Sequence, residues 1–498
     1  MNDVLILSES YAVVRYAGPY VAAKSARDAG YKVKILDHIT KHPNLIEYAG
    51  PHISTKTKLV IISTTFLYSK TKNRVSGWDL FSQFNLNLHF ADSDRLREFF
   101  VNLRKLLPTD CKIALAGERV NKIYNFYQII DDEHPLKQEI DLYFLGRDDN
   151  VLLNFLEGKN YETRFDKFIL GVASDRFKFA EPPSMIYTPD DCVVDKYESL
   201  TIEISRGCAF NCKYCNYDKK TVNKLEKDAL RDQFLKYYEL YGTTNYNFTT
   251  DCFNDNIQFV NYFYDVTQSL PFKIQWSSYA RPDLCVKYPE VVDMMIESGA
   301  ISNFYGVETL NRDVGKRIGR GLDFERILEV FLRFKKLSPE YFIKAFFIIG
   351  LPGETNETIK HAIDWIGKQT IIDAAGAQSL ELEPTFDDVN LLMDISEFST
   401  SPEKYGFKEV RFKPDQYWRH DTMDKTTADF LLTEWREAAQ HNKYMANTNQ
   451  MSIAELQSFR HTSSSFKEVI QQRKFNVLLH AGNEYRNRYY KKILESAE

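Results

Sequence analysis

Short apolar segments alternate with amphipathic stretches in two series along this chain, and this alternation is what most constrains its fold. The first series extends to residue 157, and the second begins at Leu200. Strands that alternate with helices form right-handed βαβ units around a parallel sheet. A chain of 498 residues is also too long for one ordinary hydrophobic core. The sequence therefore predicts an α/β protein with more than one domain.

The first series predicts a Rossmann-like or flavodoxin-like domain over residues 1–157. In open parallel sheets of this type, ligands bind beyond the carboxyl ends of the strands. The predicted strands are Val4–Ser8, Lys32–Leu36, Lys58–Ser63, Lys112–Ala116 and Ile140–Leu145. The predicted helices are Tyr20–Ala29, Asp94–Leu107, Val120–Ile130 and Val151–Leu156.

The second series predicts a partial (β/α)6 barrel of the TIM-like type over residues 198–390, with its chemistry at the carboxyl ends of the strands. Residues 158–197 lose the alternation and include Pro182-Pro183, so they are interpreted as a connector. Residues 391–498 have a helical pattern and are interpreted as a C-terminal cap or substrate region. The predicted barrel strands are Thr201–Ser205, Tyr246–Thr250, Lys273–Ser278, Ser302–Val307, Lys344–Ile349 and Gln378–Glu383.

Charge and hydropathy exclude some classes of partner. The formal net charge is −5, so there is no overall basic field that would support nucleic-acid binding. We find no apolar run of about 18 residues, and therefore expect no membrane span. The segment from Met1 to Leu7 is typical of a first strand rather than a signal peptide. We therefore expect a cytoplasmic protein, with reduced thiols.

Three of the seven cysteines lie within eight residues. Cys208, Cys212 and Cys215 have the spacing C-x3-C-x2-C and directly follow a predicted strand. Thiolate is the soft ligand that iron–sulfur clusters require. Three ligands for four irons leave one iron open to a further molecule. Zinc would need a fourth ligand, and the nearest histidines, His134 and His361, are far away in sequence.

The cysteine loop resembles that of the radical S-adenosylmethionine (SAM) superfamily, including Tyr214 just before the last cysteine. The resemblance implies a 4Fe–4S cluster whose open iron chelates the amino and carboxylate groups of SAM. One electron from the cluster would then cleave SAM to a 5′-deoxyadenosyl radical. The resemblance also implies an electron donor of the flavodoxin or ferredoxin type. It identifies neither the substrate nor a residue that reacts with it.

The ends of the second and third barrel strands extend this resemblance. Thr250 and Asp251 match the position where backbone and small polar groups of the family meet the SAM amino group. Ser278 and Arg281 are candidates for the SAM carboxylate, because the arginine fork donates to a carboxylate in a bidentate manner. The alternative for Arg281 is that it caps a helix.

The ends of the fourth and fifth barrel strands also match. Glu308, in the segment Gly306-Val307-Glu308, matches the family's "GxE" and would accept a hydrogen bond from a ribose hydroxyl. Ile348 and Gly350 match the place where apolar and backbone groups pack the adenine. The alternatives are that Glu308 is a surface or salt-bridged carboxylate, and that Gly350 serves a turn.

A Rossmann-like domain ahead of the barrel resembles the cobalamin-binding subclass of this superfamily. Many cobalamin domains carry D-x-H-x-x-G after the first strand, whereas Glu9-Ser10-Tyr11 follows the first strand here. Asp132-Glu133-His134 lacks the glycine and is rejected as a cobalt site. Members of the subclass without the histidine bind cobalamin without a protein imidazole, so cobalamin remains predicted. The other histidines of this region are expected to be ordinary surface or loop residues: His38, His42, His52 and His89.

The subclass implies cobalamin-dependent methylation of an unactivated carbon. The alternative is a radical rearrangement, cyclisation or dehydrogenation without methyl transfer, in which the N-terminal domain lacks cobalamin or only assists with it. Methylthiotransferases share the domain order but need three further N-terminal cysteines, and only Cys111 and Cys192 are present. Cys252 and Cys285 are interpreted as small apolar fillers. A SAM-binding or cluster-binding sensor without catalytic activity is the non-enzymatic alternative.

Overall fold

The computed structural model describes the greater part of the chain. The described residues are 2–10, 15–39, 42, 44–63, 93–117, 120, 139–145, 150–171, 182–191, 194–215, 222–382, 396–412, 416–446, 488–489, 491–492 and 495. Most of the helix predicted for Val120–Ile130, together with His89 and His134, lies outside these residues. So does most of the predicted C-terminal helical segment beyond residue 446.

The N-terminal unit is built on a seven-stranded sheet with the order β2-β1-β3-β4-β5-β7-β6. All pairings are parallel except that of β6 with β7. The order 2-1-3-4-5 places a topological switch between β1 and β3, where a crevice opens beyond the strand ends. The strands are β1 Val4–Leu7, β2 Val33–Leu36, β3 Leu59–Ser63, β4 Lys112–Ala116, β5 Leu142–Phe144, β6 Tyr161–Arg164 and β7 Phe168–Gly171.

Both faces of this sheet are buried, which explains its continuous apolar strands. Successive side chains of β1 point to opposite faces, so Val4 and Ile6 join a different apolar cluster from Leu5 and Leu7. The cluster that contains Val4 and Ile6 extends into the core of the barrel. The helices of this unit are α1 Ala17–Asp28, α2 Leu45–Ala49, α3 Ser93–Leu106 and α4 Asn150–Glu157.

The prediction of a connector over residues 158–197 is wrong for its first part. β6 and β7 form a hairpin that adds two strands to the N-terminal sheet, and all four residues of β7 are buried. Phe165 and Asp166 turn the chain between them, with left-handed φ angles of 50° and 57°. This unusual turn lacks a glycine, so the sequence gave no turn signal at this position. The domain boundaries remain predictions.

The second unit is the predicted partial barrel. Its six parallel strands are neighbours in chain order, as right-handed βα repeats require. The strands are β8 Leu200–Ile202, β11 Asn245–Phe248, β12 Gln275–Ala280, β13 Ala300–Glu308, β14 Phe342–Ile349 and β15 Ala374–Ser379, and a short hairpin adds β9 Ser205–Arg206 and β10 Asn223–Lys224. The helices are α5 Lys227–Tyr241, α6 Ile257–Gln268, α7 Pro282–Lys287, α8 Glu290–Glu297, α9 Arg312–Arg317, α10 Phe324–Leu337 and α11 Asn356–Lys368.

The sixth barrel strand begins four residues before its predicted start at Gln378. Its first half, Ala374 to Ala377, consists of small residues with weak strand propensity. These residues are needed for packing, because a Cβ on Gly376 would lie 2.9 Å from the ring of Phe346. Close packing against β14 therefore selects a sequence that does not resemble a strand.

The C-terminal region is not wholly helical, contrary to the prediction. It contains an antiparallel hairpin of β16 Phe407–Arg411 and β17 Tyr417–His420, flanked by α12 Glu397–Thr400 and α13 Lys425–His441. Trp435 of α13 packs on Phe347 of β14, with ring centroids 4.7 Å apart. The C-terminal region thus docks on the fifth barrel strand. No helix within the described ranges is long and apolar enough to cross a membrane.

Candidate active site

The cysteine loop lies at the carboxyl edge of the barrel, between the ends of two strands. It leaves β9 through Gly207, whose φ of 84° favours glycine. The Gly207 N–H donates to Asp251 Oδ2, at 3.1 Å, at the end of β11. A turn in which the Cys215 N–H donates to the Cys212 carbonyl, at 3.2 Å, brings these two cysteines together. Asp251 therefore fixes the start of the loop.

Two other segments hold the far end of the loop. The Lys213 N–H donates to the carbonyl of Ile318, which follows α9, at 3.0 Å. The Lys213 carbonyl accepts from the Phe398 N–H, at 3.1 Å, and Lys213 Nζ lies 2.5 Å from Glu397 Oε2. The C-terminal region is therefore attached directly to the cysteine loop through α12.

The three cysteines have environments suited to thiolates. Cys208 and Cys215 are half-buried, whereas Cys212 is buried. Arg281 Nη1 donates to Cys212 Sγ at 3.1 Å. A hydrogen bond with Cys252 lowers the pKa of the Cys208 thiol to about 7 against the opposing effect of burial, and Arg281 contributes to the lowering. A cation near a partly exposed thiol favours the ligating form.

Arg281 is fixed on three sides. Its Nε and Nη2 donate to the two carboxylate oxygens of Asp283 at 3.0 and 2.7 Å, and its guanidinium stacks on the Phe210 ring at 3.7 Å. The sequence predicted Arg281 as a ligand for the SAM carboxylate. Here Asp283 and the sulfur of Cys212 already engage its fork.

Glu308 lies at the end of β13 in a constrained conformation. Its φ is 70°, and the pairing with β14 slips between Gly306 and Glu308. Such outliers persist only where the surroundings enforce them, and they concentrate at functional sites. Tyr214 donates to Glu308 Oε1 at 2.7 Å, and Arg320 Nη2 donates to the same oxygen at 2.6 Å. A Cβ on Gly306 would collide with the ends of the Glu308 and Arg320 side chains, so a larger residue there would displace both.

Arg320 is the site residue that the sequence reasoning missed. Its Nη2 donates to Tyr214 Oη at 3.0 Å, in addition to its bond with Glu308. Its Nη1 is buried and makes no hydrogen bond to any described residue, with Asp283 Oδ2 at 3.6 Å. The segment Gly319-Arg320-Gly321 was the available signal, because both glycines have left-handed φ angles, of 85° and 75°.

Thr250 and Ser278 join the strand ends to each other. Thr250 is fully buried and shares a hydrogen bond with Ser205 of β9. Ser278 Oγ donates to the Phe248 carbonyl at 3.4 Å, and the Ser278 carbonyl accepts from Asn303. Thr250 thus contacts the strand that leads into the cysteine loop, and Ser278 contacts the neighbouring strands β11 and β13. Their assignment to SAM remains a prediction.

The end of β14 is covered by the C-terminal hairpin. Gly350 has a φ of 92°, and a Cβ there would lie 2.5 Å from the Trp418 ring. His420 Nε2 lies 3.1 Å from the Gly350 carbonyl, and the Trp418 and His420 rings stack at 5.2 Å. Ile348 is buried and pairs with Gln378 of β15. The predicted adenine contacts of Ile348 and Gly350 remain predictions.

The donor set fits a 4Fe–4S cluster better than a single metal ion. Among the residues that the structure describes, no three side chains of His, Cys, Asp or Glu are grouped closely enough to hold one ion. The cysteines of a cuboidal cluster each bind a different iron, so their sulfurs need not converge on a single point. The zinc alternative therefore has no support within the described ranges. Three thiols in one loop, with Arg281 beside Cys208 and Cys212, are a suitable donor set for an anionic cluster with one open iron.

Residues 202–366 match the family model of the Radical SAM superfamily. This chain therefore contains a radical SAM domain. The matched segment extends from β8 to α11, and so includes the cysteine loop, Glu308 and Arg320. This radical SAM domain implies a 4Fe–4S cluster and SAM as cofactors, as the resemblance of the cysteine loop implied.

Curated relatives match parts of this radical SAM protein. The ribosomal protein uS12 methylthiotransferase RimO of Acidovorax sp. (strain JS42) is 32% identical over 105 residues, which are 20% of this chain and 22% of the relative. RimO of Chlamydia felis is 23% identical over 310 residues, 59% of this chain and 62% of the relative. The chain thus spans less than two thirds of the length of these relatives.

Solved structures confirm the fold class over nearly the whole chain. TsrM from Kitasatospora setae, a radical SAM methyltransferase solved with cobalamin and a [4Fe-4S] cluster, aligns with a TM-score of 0.63 at 13% identity. The alignment covers 97% of this chain and all of that one. OxsB, a cobalamin-dependent SAM radical enzyme, aligns with a TM-score of 0.58 at 13% identity, covering 97% of this chain and 72% of that one.

A second buried polar network lies where the N-terminal sheet meets the start of the barrel. Arg15 Nε lies 2.6 Å from Glu198 Oε1, and Arg15 Nη2 donates to Tyr489 Oη at 3.1 Å. Tyr489 Oη also lies 3.3 Å from His38 Nε2. Asp37 accepts from Ser10, Tyr20 and its neighbour His38. His38 and His42 lie in loops, as expected, but both are buried rather than at the surface.

Proposed function

We propose that this chain is a radical SAM enzyme that methylates an unactivated carbon, using cobalamin bound to its N-terminal domain. The observation that carries the proposal is the combination of two sites in one chain. The cysteine loop lies at the carboxyl edge of the barrel, next to residues that match the SAM contacts of the superfamily. A flavodoxin-like sheet, with a topological switch point between β1 and β3, precedes it in the chain. The alignments with TsrM and OxsB support the same domain order.

The barrel residues have separate roles in this proposal. Cys208, Cys212 and Cys215 hold three irons of the cluster, and SAM chelates the fourth. When bound, the reduced cluster supplies the electron that cleaves SAM to the 5′-deoxyadenosyl radical. Glu308 would accept from a ribose hydroxyl. Arg320 Nη1, which is buried 3.6 Å from Asp283 Oδ2 and makes no hydrogen bond to a described residue, would donate to an anionic group such as the SAM carboxylate.

The N-terminal sheet supplies a place for the second cofactor. Ser8 directly follows β1 at the switch point; its Oγ is fully buried and has no hydrogen bond partner among the described residues. A buried hydroxyl of this kind needs a partner, which a polar cofactor would provide. Bound cobalamin supplies a methyl carrier. The segment after β1 contains no histidine, so the corrin would bind without a protein imidazole below the cobalt.

A second candidate is a radical rearrangement, cyclisation or dehydrogenation without methyl transfer. The missing D-x-H-x-x-G favours it, because the N-terminal domain then serves as a scaffold. Methylthio transfer, the activity named for the RimO relatives, has less support. Cys111 lies buried beside β4, and burial raises the pKa of its thiol to about 11, which disfavours a ligating thiolate.

Cofactor content and product analysis together test the proposal. The full-length protein would be purified without oxygen, and its iron, sulfide and cobalt contents and visible spectrum measured. Methylation predicts S-adenosylhomocysteine together with 5′-deoxyadenosine, because one SAM supplies the methyl group and another the radical. Rearrangement predicts deoxyadenosine alone, or neither product if SAM is regenerated. A flavodoxin or ferredoxin is the proposed reductant, and a protein that binds no cobalamin would overturn the methylation proposal.

A further inference from the structure

We propose that Arg281 is a positioning residue for the iron–sulfur cluster rather than a SAM ligand. In this proposal its guanidinium stabilises the cluster through the sulfur of Cys212 and makes the cluster easier to reduce. The inference rests on the proposed function to the extent that the cysteine loop must hold a cluster. It assigns Arg281 to a task different from the one its sequence position predicted.

The contacts of the guanidinium carry the inference. Arg281 is 5% exposed, and it directs Nη1 to Cys212 Sγ at 3.1 Å. Asp283 holds the other side of the fork through two hydrogen bonds, and Phe210, a residue of the cysteine loop, stacks on its face. Two of these three contacts thus belong to the cysteine loop. Three of the five N–H groups of the guanidinium are engaged by described residues.

Two hydrogen bonds also fix the backbone of Arg281. The Arg281 N–H donates to Asn254 Oδ1 at 2.8 Å, and the Arg281 carbonyl accepts from Asn254 Nδ2 at 2.6 Å. Asn254 is fully buried in the loop that follows β11. A side chain that follows a mobile ligand does not need two hydrogen bonds to its backbone. A side chain that keeps one position against the Cys212 sulfur does need them.

Arg320 provides the contrast that separates the two arginines. Its Nη1 is buried without a hydrogen bond partner in the described part of the chain, whereas Nη1 of Arg281 is engaged by sulfur. Of the two, Arg320 therefore has the donor that remains available to an anionic ligand. We therefore assign Arg320 to the anionic ligand and Arg281 to the cluster.

Charge gives the direction of the expected effect. Reduction adds one negative charge to the cluster, and a cation in contact with a ligand sulfur stabilises the reduced state more than the oxidised state. Hydrogen bonds to the sulfurs and local charge are among the factors that set cluster potentials. Arg281 therefore raises the reduction potential of the cluster, and its loss shifts that potential to a more negative value.

The experiment compares three variants of the reconstituted full-length protein. Arg281→Gln removes the charge, and Arg281→Lys keeps a charge but loses the fork. Arg333→Gln is the matched control, because Arg333 lies on the outer helix α10 and pairs only at the surface with Asp293. The readouts are iron content, the reduction potential from a spectroscopic redox titration, and the dissociation constant for SAM.

We expect R281Q to have a more negative potential than wild type, R281K a smaller shift in the same direction, and R333Q no shift. SAM affinity should change less than about threefold in all three, because removing a residue outside the SAM site spares its contacts. An unchanged potential in R281Q, or SAM binding weakened about tenfold, would overturn the inference. If R281Q loses its cluster, the reduction potential and SAM affinity of R281K test the inference by the same criteria. A wild-type protein that assembles no cluster contradicts the proposed function itself.

Discussion

The two buried charge networks of this protein differ in their exposure to solvent. In the network around Arg15, this arginine contacts Glu198, Tyr20 and Tyr489, all of which are buried. The network around Arg320, at the carboxyl edge of the barrel, adjoins the cysteine loop, in which Cys208 and Cys215 are partly exposed. A network closed to solvent has the features of a structural joint, and one beside partly exposed thiols has those of a binding site.

The two networks also differ in their balance of charge. Asp37 and Glu198 surround the single guanidinium of Arg15, and burial raises the pKa of Glu198 to about 7 against the effect of Arg15. In the network around Arg320, Arg281 and Arg320 face Asp283 and Glu308, and Arg281 also contacts the Cys212 thiol. The second network therefore contains one more arginine than the first, beside the thiols that would hold the cluster.

The largest expected effect comes from removing a cluster ligand. Cys212→Ala should abolish iron binding and reduce SAM cleavage to background, because the cluster loses one of its three thiolates. Iron analysis and chromatography of 5′-deoxyadenosine are the measurements. Cys285→Ala is the matched control, because this buried cysteine contacts Asn254 and not the loop; it should retain the cluster. Near-normal iron and cleavage in the Cys212 variant would contradict the assignment.

Arg320→Met tests whether the network around Arg320 binds SAM. We expect an increase of about 30-fold in the dissociation constant for SAM, equivalent to about 2 kcal/mol for a lost charge-assisted hydrogen bond. Anaerobic equilibrium binding to the cluster-loaded protein is the measurement. Arg312→Gln, at an exposed arginine of α9, is the control and should bind like wild type. Unaltered affinity in the Arg320 variant would show that its available donor does not serve SAM.

Arg15→Met tests whether the network around Arg15 is only structural. Removing one partner leaves Glu198 buried and uncompensated, so we expect the free energy of unfolding to fall by about 3 kcal/mol. Denaturant unfolding followed by tryptophan fluorescence measures this change. The iron content per folded chain should stay at the wild-type value. A loss of iron without a loss of stability would remove the distinction between the two networks.

The smallest effect is a pH-dependent one at α12. Hydrogen bonds from Lys213, Lys404 and Tyr405 lower the pKa of Glu397 to about 2. Its stabilising contribution is therefore complete above the ordinary pKa of 4.5 and is lost as the pH falls towards 2. We expect Glu397→Gln to destabilise the protein by about 1 kcal/mol at pH 7, and the difference from wild type to shrink on acidification. A stability difference that does not vary with pH would contradict the assignment of this effect to the Glu397 carboxylate.

Local sequence patterns predicted the elements and residues that depend on local chemistry. The apolar runs of β1, β3 and β14 and the cysteine spacing gave the strand positions and the ligand loop. They could not give Arg320, because its contact with Tyr214 joins residues 106 positions apart and depends on tertiary packing. The small residues of β15 and the glycine-free turn before β7 have no distinctive pattern, so these strands were misplaced or missed. The burial of His38 was not predictable for a similar reason, since this loop residue contacts Tyr489 from the other end of the chain.

The most direct test of the account is an electron paramagnetic resonance spectrum of the reduced, reconstituted protein with and without SAM. If three cysteines leave one iron open, a preparation with about four irons per chain should give a cluster signal that changes on addition of SAM. The same change should persist in Cys252→Ala, because we expect this buried cysteine to neighbour Cys208 and not to bind the cluster. A signal indifferent to SAM, or a cluster lost in the Cys252 variant, would show a fourth protein ligand and contradict the account.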